Sequence, residues 1–247
     1  MSTRALLVIR PEPGNARTLA AARTLGLVAR GIPLFVVELR AWEPPDPARF
    51  DAALLGSANA LRHGGAALAR YTALPIYAVG ATTAAAARTA GFTVAACGEG
   101  GLQALLPHLA ADGRKRVLRL SGEAHVPLDP PPGMTIETAI VYAARALALP
   151  ASAVSPKTLE GLGCVVALHS GEAARHFAAE CDRLGLDRAG IALCCLAPRV
   201  AEAAGAGWAE TRVAPTSKRL GPKHSGEAAL LALARDMCQN ALLPNHR

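Results

Sequence analysis

The sequence predicts an α/β protein of two lobes, each a mostly parallel sheet flanked by helices, joined by two linkers with a cleft between them. Three observations predict it. One pattern occurs twice: Asp51–Arg62 (DAALLGSANALR) followed by Pro75–Gly91 (PIYAVGATTAAAARTAG), and Gly163–Phe177 (GCVVALHSGEAARHF) followed by Gly190–Gly205 (GIALCCLAPRVAEAAG). Each copy is a short apolar run with a Ser at its end, a helix-like stretch, a second apolar run, a small-residue turn and an Ala-rich helix. Apolar runs then alternate with helical patterns along the chain, which implies parallel sheets with right-handed crossovers. Finally, 247 residues are enough for two small domains. A cleft between two lobes is a common place for a ligand.

The elements follow in order. Ala5–Ile9 reads as a buried strand stopped by Arg10-Pro11. Asn15–Leu25 fits a helix ended by Gly26, and Ile32–Leu39 a second strand. The Pro-rich stretch Trp42–Pro47 (WEPPDP) reads as a linker into the first repeat copy. After that copy come a helix at Leu102–Leu109, a strand at Val117–Leu120, a loop at Pro127–Gly133 and a strand at Glu137–Tyr142. A second crossing near Ala146–Pro150 leads to the second copy from Leu159, and Glu227–Met237 closes the pattern as an amphipathic helix. Two crossings leave the N-terminal segment free to pack with the C-terminal half. The expected division is therefore a discontinuous lobe 1–40 plus 148–247, an inserted lobe 46–142, and hinge linkers 41–45 and 143–147, although repeat symmetry alone does not force it.

Composition excludes several classes. Hydrophobic residues make up 51% of the chain, much of it Ala, and aromatics only 4%. No run of about 18 apolar residues could span a bilayer. The opening MSTRALLVIRPE reaches charge too early for a secretory signal, so a cytoplasmic protein is expected. Cys97, Cys164, Cys181, Cys194, Cys195 and Cys238 form no C-x-x-C and read as small apolar core residues. His169 and His176 are seven apart and no H-E-x-x-H occurs, so no metal is expected. The net charge of +7 comes mostly from Arg, scattered except at Arg114–Arg116 and Lys218–Lys223, without interleaved aromatics. That is a poor footprint for nucleic acid. It suits an anionic small molecule, or simply a solvated basic surface.

In parallel sheets ligands bind outside the carboxyl ends of strands, where helix N-termini point. Those positions carry small hydroxyl residues: Ser57, Thr82 and Thr83, Ser121-Gly122, and Ser170-Gly171. Each is also a natural helix cap, and the tetrapeptide SGEA at Ser121, Ser170 and Ser225 favours capping, since Glu suits a first helical turn. The two readings are compatible. Helix N-termini with free N–H groups would hold an anion carrying several carboxylates. Ser57 in LGSAN and Ser170 in LHSGE are not nucleophile elbows, and Gly98–Gly101 (GEGG) is neither a Walker loop nor a dinucleotide fingerprint. Covalent, nucleotide-dependent and redox chemistry therefore rank low.

The ordered set Val8–Pro11 (VIRP), Ile32–Phe35 (IPLF), DAALLGSANALR, YAVGATTAAAARTAG, Val117–Glu123 (VLRLSGE), Val141–Tyr142, ALHSGEAARHF and Ala214–Thr216 (APT) resembles the uroporphyrinogen-III synthase family. The resemblance spans nearly the whole chain, and its order carries it, because each motif alone is weakly specific. It implies two α/β lobes, the first built from both chain ends. It implies as substrate hydroxymethylbilane, a linear tetrapyrrole with eight carboxylates. The reaction closes the macrocycle, loses water and inverts the D ring through a spiro intermediate, without metal or organic cofactor. A monomer is expected, with at most a transient contact with hydroxymethylbilane synthase, and neither nucleic acid nor membrane as partner.

The resemblance also carries site residues. Tyr142 matches the family's recurrent tyrosine, which helps the terminal hydroxyl leave, or else it is an aromatic anchor at a linker. Ser57, Ser170 and Thr83 match hydroxyl residues on the ligand side, with Thr82 beside Thr83, and Ser121, Gly122 and Gly171 belong to the same turns. Arg10 either holds a carboxylate or braces the hinge. Two positions depart from the pattern. Arg199-Val200 stands where a ligand-side Thr belongs, leaving Arg199 as a substitute carboxylate contact. Ser121 replaces a frequent basic residue before Gly122, and His125 stands near another. The rival reading is a non-catalytic tetrapyrrole- or anion-binding regulatory protein on the same scaffold, since fold does not fix function.

Overall fold

The computed structural model describes residues 4–154, 163–215 and 226–239. The chain divides at Val36/Val37 and at Arg145/Ala146: the two flanking segments share one compact unit, and 37–145 forms the other. Lys218–Lys223, Ser225, Thr216, Leu159 and the tail 243–247 lie outside the described residues.

The first unit holds β1 (Ala5–Val8), β2 (Ala29–Gly31), β9 (Cys164–Leu168), β10 (Ile191–Cys195) and β11 (Glu210–Val213), in the order β11-β10-β9-β1-β2. All four pairings are parallel. β9 and β10 are buried at every residue, the unbroken apolar run expected of parallel strands covered on both faces. Alternation along β1 splits the core in two: Leu7 packs with Val166, Leu168 and Phe177, whereas Leu6 and Val8 pack with Val165, Leu230 and Leu231. The helices are α1 (Gly14–Thr24), α5 (Gly171–Arg183), α6 (Pro198–Ala204) and α7 (Gly226–Gln239). Trp208 stacks on Phe177 with ring centroids 5.7 Å apart and carries Arg188 over its face. The five cysteines of this unit are all buried. Burial pushes the thiols of Cys164 and Cys181 up to about 12, and those of Cys195 and Cys238 up to about 11, so they behave as core residues. Cys97, expected in the core with them, is instead exposed, because it lies on the strand Val94–Gly98 at the edge of the other sheet.

The second sheet runs β3 (Phe35–Leu39), β8 (Thr135–Ala146), β7 (Arg116–Gly122), β4 (Ala52–Leu55), β5 (Ile76–Val79), β6 (Val94–Gly98). Its helices are α2 (Asn59–His63), α3 (Ala81–Thr89) and α4 (Leu106–Ala111). Reversed, the order β6-β5-β4-β7-β8 matches β11-β10-β9-β1-β2 strand for strand. The repeat noted in the sequence therefore extends beyond its two copies. One difference stands out: α1 joins β1 to β2, but only the irregular segment 123–134 joins β7 to β8.

Several elements differ from expectation. Ile32–Leu39 is not one strand, because Pro33 has no N–H to pair; Ile32 and Leu34 instead donate to Val8 and Ile9, and β3 starts afterwards at Phe35. The helix expected at Leu102–Leu109 begins as a 3₁₀ turn, Gln103–Leu105, with Pro107 in the first turn of α4. Both crossings fall inside strands, since β3 reaches Leu39 and β8 reaches Ala146, through most of the expected linker 143–147. The Pro-rich stretch is fastened to the second unit. Trp42 stacks on Tyr71 at 6.0 Å and donates to Gly64 O, and the Tyr71 hydroxyl donates to Pro45 O.

Candidate functional site

In each sheet the chain reverses its direction of strand addition once. β1 is followed by β2 on one side and β9 on the other; β4 is followed by β5 on one side and β7 on the other. Carboxyl ends of strands at such switch points are where open α/β sheets bind ligands.

The second unit's switch point opens into a cavity of about 440 Å³. Its lining includes Gly56 and Ser57 after β4, Arg119 and Ser121 on β7, Tyr142 on β8, and Gly100, Gly101 and Leu102 after β6. Gly100 and Gly101 lie at φ +89° and +100°, a backbone turn that side-chain-bearing residues rarely adopt. Ser57 Oγ accepts from the Asn59 N–H at 3.2 Å, closing a local turn before α2. His125 Nδ1 lies 3.0 Å from both Gly122 O and Glu123 O, so this nitrogen carries a hydrogen. Tyr142 is half-buried, its ring 6.4 Å from that of His63, whose imidazole burial holds below its ordinary value and hence uncharged at neutral pH.

Arg119 was not anticipated from the sequence. It is 5% exposed, interrupts the apolar run Val117–Leu120, and shares a strand face with Ser121 two residues on. Nη1 donates to Val126 O at 2.8 Å, but the buried Nε has no hydrogen-bond partner. Burial lowers the guanidinium's pKa, with the nearby Tyr142 phenol opposing that shift. Leaving a buried charge uncompensated typically costs about 3–5 kcal/mol. A lone charge inside an otherwise apolar tetrapeptide was the available signal.

At the first unit's switch point the chain supplies its own carboxylate. Arg10, leaving β1, donates through Nη1 to Glu227 Oε2 at 3.0 Å; His169, leaving β9, meets the same oxygen at 3.0 Å; and buried Thr18 donates to Glu227 Oε1. Burial raises the Glu227 carboxyl, but His169, Thr18 and Arg10 outweigh it and hold the group at about 2. Arg10 is thus committed to an internal carboxylate. Asn15 supports this corner by donating to Val8 O and Arg10 O at 2.7 and 3.1 Å.

The remaining expected residues are dispersed. Ser170 is the N-cap of α5, accepting from Ala173 N at 3.2 Å, with Glu172 in the first turn. Gly171 packs close to α6, where an added Cβ would come 3.2 Å from Ala203. Arg199 is exposed in the first turn of α6. Thr82 is exposed, but Thr83 is 5% exposed and turned into the packing beneath α3, away from solvent. Ser121-Gly122 does not start a helix. These residues end β7, and no helix follows before β8, so the shared tetrapeptide caps a helix at Ser170 but not at Ser121. The physical reason is that Gly122 and Glu123 stay in the ladder beside β8, with Glu123 N donating to Tyr142 O. Among the described residues, no group of three or more His, Cys, Asp or Glu side chains is placed to hold a metal. No helix among them is long and apolar enough to cross a membrane.

This two-unit α/β chain gathers Arg119, Ser57, Ser121 and Tyr142 on one cavity at a switch point, the architecture of a ligand-binding α/β protein. The family model described as uroporphyrinogen-III synthase HemD matches residues 20–220, and the chain belongs to that family, the cyclising lyases of tetrapyrrole biosynthesis. Solved structures of uroporphyrinogen III synthase from Thermus thermophilus are similar to it. A substituted form gives a TM-score of 0.49 at 15% identity, covering 95% of this chain and 99% of that one. A wild-type form gives 0.38 at 16%, with 96% and 99% covered, and a third structure 0.35 at 16%, with 96% and 100% covered. No curated protein sequence matches significantly.

Proposed function

We propose that this chain closes hydroxymethylbilane to uroporphyrinogen III with inversion of the D ring and loss of water. The observation that carries the reading is the family match over residues 20–220. The cavity bounded by Ser57, Ser121, Arg119 and Tyr142 is consistent with it and is of a size to take part of a tetrapyrrole.

In this reading Tyr142 is the catalytic acid. Its phenol gives a proton to the departing hydroxyl, the carbon–oxygen bond breaks, and water leaves behind a delocalised cation. Attack by the D-ring α-carbon that already bears the bridge to the neighbouring ring forms the spiro intermediate; that bridge bond breaks and re-forms at the ring's free α-carbon, and loss of the proton there restores the aromatic pyrrole and returns a proton to the site. Because the bilane also closes unaided to the uninverted isomer, holding the chain curled decides the product. Ser57 and Ser121 serve as hydroxyl partners of the bound ligand, with Gly122 shaping the wall. In the first unit Ser170, Gly171 and Arg199 contact other carboxylates, Thr82 does so at the start of α3, and Arg10 braces its own unit. The protein acts as a cytoplasmic monomer without a cofactor, meeting hydroxymethylbilane synthase only transiently.

The test is a coupled assay with porphobilinogen and a bilane-forming deaminase, with the oxidised products separated into uroporphyrin isomers. A shift from isomer I to isomer III on adding the protein is expected. Persistence of isomer I with folded protein present overturns the reading.

A further inference from the structure

The two switch points are topologically the same place in two copies of one fold, yet among the described residues only one of them brings a carboxylate of this chain to its arginine. In the first unit a carboxylate, Glu227, sits at the carboxyl ends of β1 and β9 and joins Arg10, Thr18 and His169. In the second unit the corresponding ends belong to β7 and β4. Three residues before the end of β7, lining the cavity, Arg119 is 5% exposed, and among the described residues no acidic side chain is bonded to it. The connection that in the first unit is helix α1 is here the irregular segment 123–134, which leaves the cavity open above the strand ends.

The guanidinium has a defined orientation. Nη1 is held by the Val126 carbonyl at 2.8 Å. The opposite edge, Nε with Nη2, is the side-on pair that matches the two oxygens of a carboxylate. Nε on that edge is buried with no partner. A buried charge with an unsatisfied donor is held at a cost to the fold; Arg4, Arg114 and Arg188 also bury an unpaired Nε, but of these arginines only Arg119 lines this cavity.

We infer that Arg119 is a specificity-determining carboxylate anchor: its Nε–Nη2 edge takes one carboxylate arm of the tetrapyrrole in the second unit's cavity, as Glu227 does from within in the first. The inference rests on the proposed substrate and adds a residue that is not among those the resemblance carries over. Anchoring an arm here places the attached pyrrole beside Tyr142, which lines the same cavity. Specificity follows, because an analogue lacking that carboxylate would leave the buried guanidinium unpaired.

The experiment titrates wild type, Arg119→Met and Arg119→Lys with uroporphyrin III, a stable octacarboxylate, and with glutarate as a simple carboxylate probe. Fluorescence quenching reads the porphyrin, the Arg119 Nε–H resonance in ¹⁵N spectra reads both probes, and thermal melts report the fold. In wild type, uroporphyrin shifts the Nε–H resonance. Arg119→Met weakens uroporphyrin binding about 10- to 100-fold, and Arg119→Lys recovers part of it. In the coupled assay Arg119→Met raises KM by a similar factor and leaves kcat within a few-fold. Its melting temperature without ligand is unchanged or higher, whereas a merely structural arginine would lower it. Uroporphyrin binding equal to wild type in Arg119→Met overturns the anchor and leaves the synthase reading standing. If wild type binds no uroporphyrin and makes no isomer III, the synthase reading fails, and glutarate decides the anchor: a shifted Nε–H supports it, an unmoved one overturns it.

Discussion

The ring of Tyr142 lies directly on Gly122. A Cβ on Gly122 would come 2.5 Å from Tyr142 Cε2, 2.6 Å from Cζ and 3.0 Å from the hydroxyl oxygen. Only a glycine lets the phenol occupy this place between β7 and the cavity. The glycine anticipated as a ligand contact is in this structure the seat of the proposed acid. Gly122→Ala is expected to push the ring aside while the strand persists. Displacing a reacting group by about 1 Å costs on the order of 100-fold in rate. Isomer III formation by Gly122→Ala should fall accordingly, with circular dichroism unchanged; wild-type turnover would mean that the ring's seat does not matter.

Tyr142→Phe keeps the ring on Gly122 and removes only the proton. A positioned general acid contributes about 10²- to 10⁴-fold, so kcat should fall within that range while uroporphyrin affinity changes little. The measurement is the isomer ratio at fixed deaminase. Isomer I should dominate, because spontaneous closure then competes with the slowed enzyme.

Ser170 caps α5, and substitution separates that role from ligand contact. Ser170→Ala should cost about 1 kcal/mol of stability, read by denaturant midpoint. Ser170→Asp retains a cap and suits the helix N-terminus, yet places an anion where a substrate carboxylate would sit. A raised KM in Ser170→Asp with undiminished stability is expected if the helix end meets substrate. An unchanged KM restricts Ser170 to capping.

Acid should loosen the first unit in a definite window. The Arg183 guanidinium, together with the Leu149 N–H, outweighs burial and holds the Glu180 carboxyl at about 2, while His169, Thr18 and Arg10 do the same for Glu227 against burial. Both lie below the ordinary value of 4.5, so the unfolded chain takes up protons first. Their stabilisation is complete above pH 4.5 and is lost as pH falls towards 2. Trp42 and Trp208 are the chain's two tryptophans, one in each unit. In a Trp42→Phe background, Trp208 therefore reports the first unit alone. Its urea midpoint should be flat above about pH 5 and fall below it. Glu180→Gln should flatten that fall and cost about 1–3 kcal/mol near neutrality, because Glu180 accepts the buried Leu149 N–H at 2.6 Å.

The repeat, the strand runs Ala52–Leu55, Cys164–Leu168 and Ile191–Cys195, the buried cysteines and the family were legible in the sequence. Local hydrophobic pattern dictates buried parallel strands, because both faces must be apolar. Ser57, Ser121 and Tyr142 were also legible, and the structure places all three on one cavity. The helix start expected at Ser121 is a strand end instead, for the same SGEA that caps α5 at Ser170 closes β7 at Ser121. Four residues of identity do not specify whether the next backbone groups pair with a neighbouring strand or with each other.

What the sequence determined by itself was therefore the order and kind of the elements, since propensity and periodicity act within a few residues. What the tertiary structure alone decided was the partnership of distant residues: Glu227 with Arg10, 217 positions apart, and Arg119 with no carboxylate among the described residues. A charge inside a strand carries no local sign of whether a partner awaits it. Strand order sets that, by bringing α7 over one switch point and leaving the other open to a ligand.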